Sequence, residues 1–149
     1  MPVVSEILSQ AQAKGGELGV AYEGALTPEQ AWAVLQAAPV AKLVDVRSRP
    51  ELDLVGRIPG ATHIEWSFYP DWKPNPAFES QLKSQVDTES LVMFICRTGG
   101  RSNNAAVLAK QLGYTEVYNV LQGFEGDANE EKQRGKINGW KAAGLPWSN

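Results

Sequence analysis

The apolar run "SLVMFI" at residues 90–95 restricts the possible folds more than any other stretch of the sequence. Its strand-like length and nearly unbroken hydrophobicity predict a strand that is buried on both faces, as in a parallel sheet. Less apolar segments with strand character occur at residues 41–46, 62–66 and 115–120. Together with the run at 90–95, these segments predict a sheet of at least four strands.

Helical segments separate the strands. Thr27, Pro28 and Gln30 form a capping box with proline in the first helical position, so a helix begins there and stops at Pro39. The alternation of helices and short apolar strands predicts an α/β domain with a mainly parallel sheet that is flanked by helices on both faces. Further helices are predicted at residues 3–16, 76–86, 101–114 and 137–147. Residues 47–61 are predicted to be loop or a short helical turn.

Size and charge narrow the function classes. A chain of 149 residues has the length of one domain and needs no metal or disulfide to bury a core. The net charge of −3 and the lack of a long basic run argue against nucleic acid as a partner. No apolar run is long enough to cross a bilayer, and the N-terminus lacks a secretory signal pattern. We therefore expect a cytoplasmic protein without a membrane partner.

The segment "ICRTGGRS" contains Cys96, the single cysteine, at the predicted end of the most apolar strand. Sites in parallel sheets form at the carboxyl ends of strands. Gly99 and Gly100 allow the backbone to curl so that its N–H groups converge on an anion, and the following helix adds its positive end. With Arg97 and Arg101, these features would stabilise a thiolate over a thiol. The pattern predicts that Cys96 is an ionised nucleophile.

The same loop is suited to an anionic substrate such as thiosulfate. A Cys96 thiolate would attack the outer sulfur, sulfite would leave, and a persulfide would remain on the enzyme. Because the chain has no second cysteine, an external thiol, cyanide or a protein acceptor has to collect the sulfur. No cofactor and no metal site are expected, since Cys96 and the one histidine, His63, are far apart in the sequence.

These residues resemble the single-domain rhodanese sulfurtransferases. The resemblance runs over roughly residues 26–147 and is carried, in order, by "DVR", "IPGA", "CRTGGRS", "YNVLQGF", "GW" and "AGLP". The sequence departs from the usual family pattern at Arg57, where histidine is common, and at Gln122, where a second glycine is common. Residues 126–136 also form a charged insertion.

The resemblance implies a rhodanese-like domain at residues 26–149, with a five-stranded sheet, preceded by an N-terminal helix and extension at residues 1–25. It also implies sulfane-sulfur transfer, with Cys96 as the persulfide carrier. Asp45 and Arg47, at the end of another strand, are expected to support the site. The expected substrate-binding residues are those of the loop after the cysteine: Arg97, Thr98, Gly99, Gly100, Arg101 and Ser102.

Each of these residues also has a simpler interpretation. Free cysteines often pack as small buried apolar residues, and the two loop arginines could be solvated charges. Asp45 and Arg47 are better explained as a structural ion pair near the site than as catalytic groups, and His63 as structural. The aromatic residues in the proline-rich loop at 66–72 either line a substrate pocket, form a partner-docking patch or cover the core, with a slight preference for covering the core.

Two other functions compete with sulfur transfer. Cysteine phosphatases and arsenate reductases also use a thiolate in an anion-binding loop, but such phosphatases have five residues between the cysteine and the arginine. Here four residues separate Cys96 from Arg101, and the smaller ring suits one sulfur better than a phosphate. Rhodanese-like binding modules often lack the cysteine, so this alternative takes the form of a protein-to-protein sulfur carrier. The sequence does not identify the physiological donor, the acceptor or the oligomeric state.

Overall fold

A computed structural model describes residues 3–149. Seven strands and five helices are formed in this range. The helices are α1 (Val4–Leu18), α2 (Pro28–Ala37), α3 (Arg49–Val55), α4 (Phe78–Gln85) and α5 (Gly100–Gln111). The strands are β1 (Gly24–Leu26), β2 (Lys42–Asp45), β3 (Thr62–His63), β4 (Ser67–Phe68), β5 (Lys73–Pro74), β6 (Leu91–Ile95) and β7 (Glu116–Val120).

Five strands form one sheet in the order β1-β7-β6-β2-β3, and every pairing in it is parallel. The apolar strand β6 lies at the centre, hydrogen-bonded to β7 on one side and β2 on the other. Strands β4 and β5 form a separate antiparallel hairpin. The predicted parallel sheet and its α/β architecture are confirmed.

Helices cover both faces of the sheet. On one face, Ile7 and Ala11 of α1 and Val34 of α2 pack in a core cluster with Met93 and Trp140. On the other face, α4 and α5 contribute the buried residues Phe78, Leu82, Ala105, Ala106 and Ala109. Alternate residues of β6 enter the two clusters, which explains why the whole strand is apolar.

Strand β1 was not predicted, and α1 does not end at Gly15-Gly16 as expected. The helix runs on to Leu18 and ends at Gly19, which has φ +69°. A Cβ added at Gly15 would lie 2.8 Å from the Gly24 α-carbon, so Gly15 permits close packing of helix on strand rather than ending the helix. A three-residue strand, "GAL", has too few positions to show a periodic pattern.

Two further segments differ in part from the predictions. Of the two options for residues 47–61, the short helical one is formed: α3 has seven residues, with Pro50 in its first turn and a capping box from Ser48 to Glu51. The C-terminal helix predicted at residues 137–147 is wrong, because this segment forms turns. The Trp140 N–H donates to the Gly123 carbonyl oxygen and the Lys141 N–H donates to that of Phe124, so these donors fasten the segment to the β7 turn.

Within residues 3–149, every helix is too short or too polar to cross a bilayer.

Candidate active site

Cys96 lies directly after β6, at the carboxyl edge of the sheet. Its side chain belongs to the cluster under α4 and α5, and only 1% of the residue's surface is exposed. The thiol thus lies at the carboxyl end of the central strand, next to the loop that follows it. It is the one free cysteine.

Backbone and side-chain donors from that loop surround the sulfur. The Gly99 N–H donates to Cys96 Sγ at 3.1 Å, and the Ser102 hydroxyl lies 3.4 Å from it. Helix α5, 12 residues long, begins at Gly100, so its N-terminal end is beside the sulfur. Gly99 has φ +114°, which side chains rarely allow, and this conformation turns its N–H towards Cys96. The sulfur therefore lies against two hydrogen-bond donors and the first turn of a helix.

The Gly99 carbonyl oxygen fixes the orientation of the loop. It accepts hydrogen bonds from the Asn103 N–H at 3.1 Å and from Asn119 Nδ2 at 3.3 Å. The Ser102 hydroxyl lies 3.1 Å from the same oxygen and donates either to it or to the sulfur. Because Asn119 extends from β7, the neighbouring strand ties the loop to the sheet.

The turn after β7 supports the loop from behind. The Phe124 N–H donates to the Cys96 carbonyl oxygen at 2.8 Å, and the Glu125 N–H donates to that of Arg97 at 3.0 Å. A Cβ at Gly123 would lie 2.5 Å from the Arg97 carbonyl carbon and oxygen, so only glycine fits this approach. The motif "YNVLQGF" thus has a direct structural role at the site, which its sequence position did not reveal.

Arg101 is paired with a residue that was not predicted. Its Nη1 and Nη2 each donate at 2.8 Å to the Glu51 carboxylate of α3, and its guanidinium lies over the Trp72 ring at 4.9 Å. Burial opposes the charged form of both partners, but their mutual hydrogen bonds outweigh it, lowering the pKa of Glu51 and raising that of Arg101. The Ser48–Glu51 cap was visible in the sequence, whereas its contact with a residue 50 positions away was not.

Arg97 differs from Arg101 in its surroundings. It is exposed and forms no ion pair within residues 3–149. Thr98 is half-buried beside it, and Gly100 is exposed at the start of α5. Of the two loop arginines, Arg97 is the one whose charge is available to a ligand.

Asp45 and Arg47 form a buried ion pair, with Arg47 Nη2 2.6 Å from Asp45 Oδ2. The Arg47 guanidinium packs over the Phe124 ring at 4.1 Å, and its carbonyl oxygen lies 2.7 Å from His63 Nε2. Phe124 belongs to the α1–α2 side of the core, whereas the Cys96 side chain lies on the other side. Asp45 and Arg47 therefore do not lie against the sulfur. Arg47 packs on the Phe124 ring, and the Phe124 backbone N–H donates to the Cys96 carbonyl oxygen.

The aromatic residues at 66–72 divide into two groups. Trp66 packs against the core and meets Phe78 edge to face at 4.9 Å. Phe68, Tyr69 and Trp72 are exposed, at 39%, 57% and 45%. The slight preference for covering the core is therefore wrong for these three residues. Trp72 instead faces the cysteine loop through Arg101.

Comparisons with known proteins agree with this geometry. A family model described as "Rhodanese-like domain" matches residues 27–130. The crystal structure of Rv0390 from M. tuberculosis is 40% identical, has a TM-score of 0.79, and the match covers 86% of this chain and 98% of that one.

Two curated relatives are also similar. An uncharacterized protein of Rickettsia conorii is 38% identical over 107 residues, which cover 70% of this chain and 80% of that protein. A protein of Actinobacillus succinogenes named thiosulfate sulfurtransferase GlpE is 30% identical over 121 residues, covering 81% of this chain and 86% of that protein. The family match over residues 27–130 and these similarities show that the chain belongs to the rhodanese-like domain family.

Proposed function

We propose that the protein is a sulfurtransferase that carries sulfur as a persulfide on Cys96. The observation that carries this proposal is the position of the sulfur: it receives the Gly99 N–H and lies at the N-terminal end of α5. Reactive cysteines occur in such surroundings, beside a backbone N–H donor and the N-terminus of a helix. The similarity to proteins named thiosulfate sulfurtransferase supports the same chemistry.

The first step loads the enzyme. The Cys96 thiolate attacks the outer sulfur of thiosulfate, or the sulfane sulfur of a persulfide donor, and a new S–S bond forms as the donor's bond breaks. The electron pair of the broken bond leaves on sulfite or on the donor thiolate. Arg97 is placed to bind the anionic donor, since Arg101 is held by Glu51. The amides of residues 97–100 would hold the charge of the terminal sulfur.

The second step returns the enzyme to its starting state. Cyanide or a thiolate attacks the terminal sulfur, the Cys96–sulfur bond breaks, and its electron pair restores the Cys96 thiolate. No oxidant, reductant or cofactor is consumed in either step. We place the reaction in the cytoplasm, where a reducing environment keeps a single cysteine available.

The phosphatase alternative has less support from the site. A phosphate in such a loop would need the arginine at the start of the helix, and both terminal nitrogens of Arg101 are bound to Glu51. A protein-to-protein sulfur carrier uses the same persulfide and differs only in the acceptor, so it remains within the proposal.

Intact mass spectrometry tests the proposal. The reduced wild type should gain one sulfur atom, about 32 Da, from thiosulfate or a persulfide donor and lose it to cyanide with release of thiocyanate. Cys96→Ala should do neither while keeping its circular dichroism spectrum. Absence of the added mass in a folded, reduced wild type with both donors would rule out the persulfide carrier.

A further inference from the structure

A groove of about 420 Å³ lies beside the cysteine loop. One side is formed by the β4–β5 hairpin and the residues next to it, and the other by the loop and the start of α5. We call it the hairpin groove. Its lining residues are Trp66, Ser67, Trp72, Pro74, Arg97 and Arg101. Trp66 packs on the same side of the core as the Cys96 side chain. Cys96 itself does not line the groove, but Arg97 follows it directly in the chain, so the groove borders the cysteine loop.

The groove is larger than the smallest sulfur substrates require. Thiosulfate or cyanide fills the space of only a few water molecules, each about 30 Å³. Sites for organic ligands usually measure roughly 300–1,000 Å³. The hairpin groove is in that range, so it has room for a substrate with a carbon skeleton.

The groove combines a fixed apolar wall with one available charge. The Trp72 ring is held over the Arg101 guanidinium at 4.9 Å and meets Tyr69 edge to face at 5.7 Å, yet Trp72 remains about half exposed. An aromatic face already held in place binds a carbon chain with little loss of side-chain entropy. The Arg101 charge is balanced by Glu51, which leaves Arg97 to pair with an anion.

We propose that the hairpin groove binds the sulfur acceptor and that this acceptor is a small organic thiol bearing a carboxylate, an inference that rests on the proposed function. The carboxylate pairs with Arg97 and the carbon skeleton lies on Trp72. The acceptor thiol, after losing its proton to solvent, attacks the terminal sulfur of the Cys96 persulfide. The product is the acceptor persulfide, and the electron pair of the broken bond returns to Cys96.

Two acceptors that differ in one group provide the test: N-acetylcysteine, with a carboxylate, and N-acetylcysteine amide, without one. Persulfidated enzyme is freed of donor, and single-turnover rates of sulfur transfer to each thiol are measured. Comparing the ratio of the two rates between variants cancels the intrinsic reactivity of the thiols. In Arg97→Gln this ratio should fall about tenfold, the usual effect of losing a charge-assisted hydrogen bond. In Trp72→Ala the rates with both thiols should fall, about fivefold, through lost contact area.

Matched controls define the specificity of these effects. Lys42→Gln makes the same change of charge at the start of β2, at the opposite end of the strand from the site, and should leave the ratio unchanged. Phe68→Ala removes an exposed aromatic residue that does not line the groove, and should leave both rates unchanged.

The outcomes separate this inference from the function on which it rests. A wild type that takes up no sulfur overturns both. A wild type that loads sulfur and passes it to cyanide, with a rate ratio equal in Arg97→Gln and in the wild type, leaves the sulfurtransferase in place and overturns the acceptor site. Because Arg97 is exposed and has no ion-pair partner among residues 3–149, its replacement tests the proposal without loss of a folding contact, even where Trp72→Ala fails to fold.

Discussion

Single glycines set how closely the β7 turn approaches the cysteine loop. Gly123, with φ +69°, presses against the Arg97 carbonyl group, and that contact leaves no room for a side chain. Gly144 has a similar φ of +76°, but a Cβ there would meet nothing within 4 Å. A side chain at Gly144 would therefore cause backbone strain alone, whereas one at Gly123 would cause backbone strain and a steric clash.

We expect Gly144→Ala to lower the free energy of unfolding by about 1–2 kcal/mol, the cost of a left-handed residue with a side chain. Gly123→Ala should cost about 1–3 kcal/mol more, since the backbone of the loop has to move. It should also slow sulfur loading of Cys96, which Gly144→Ala should not. Urea unfolding and loading rates by mass spectrometry measure both effects. Equal stability and equal loading in the two variants would mean that the turn does not position the loop.

At the same scale, the sequence alone brings Cys96 and its loop together but does not show the residues that surround them. Cys96, the glycines and the positive residues are contiguous, so their juxtaposition follows from the chain itself. Glu51, Asn119 and Phe124 reach the loop only through the tertiary fold. For Arg101, the distant partner Glu51 adds a contact with α3 that the sequence does not show, and its role in binding an anion stays a prediction.

Among the elements, α3 and α5 are joined through Glu51 and Arg101. In Glu51→Gln the Ser48 cap is retained, because glutamine also accepts the Ser48 backbone N–H bond. The charge pair is lost, and a mostly buried guanidinium loses its counterion. We therefore expect a loss of about 1–3 kcal/mol in the free energy of unfolding at neutral pH.

The stabilisation by the Glu51–Arg101 pair should change with pH in a defined direction. The Arg101 pair lowers the pKa of Glu51 in the folded state, so the stabilisation is present above the ordinary glutamate pKa of about 4.3 and is lost as pH falls through the lower folded value. The stability difference between wild type and Glu51→Gln should be constant near neutrality and shrink in acid. A difference that stays constant down to the acid limit would show that the pair is not responsible.

Element predictions succeeded where the local signal was long or chemically specific. The capping box at Thr27 and the apolar run of β6 are both found as expected. The helix predicted for the C-terminal segment is wrong because the apolar residues of that segment are spaced by their contacts with the core. Trp140 is fully buried against the β7 turn although no helix surrounds it. Residue spacing alone does not distinguish a helix face from a loop that inserts every few residues into the core.

For the whole molecule, the N-terminal helix belongs to the same core as the sheet. The helix precedes residues 27–130, which match the family model. Ile7 and Ala11 are nevertheless buried in the core cluster on the α1–α2 face of the sheet, and the helix packs closely on β1. We propose that the predicted division near residue 25 separates two parts of the sequence but not two folding units.

This proposal predicts that Ile7→Ala lowers the free energy of unfolding of the entire domain by about 2–4 kcal/mol, as for other core truncations. Leu18→Ala, at an exposed position of the same helix, should change it by less than about 0.5 kcal/mol. Unfolding followed by circular dichroism and by tryptophan fluorescence should give one shared transition. Two separate transitions, with Ile7→Ala affecting only one, would contradict the proposal.

The central position of β6 also determines how rarely its backbone amides are exposed to solvent. A strand that is paired on both sides and covered on both faces exposes its backbone amides only when the whole domain unfolds. Hydrogen exchange there should be governed by global stability, whereas the hairpin and the exposed part of the cysteine loop can open locally at much lower cost. A sulfur atom bound to Cys96 would thus be attached to the part of the molecule that opens least often, beside surface segments that are expected to open many times within one unfolding lifetime.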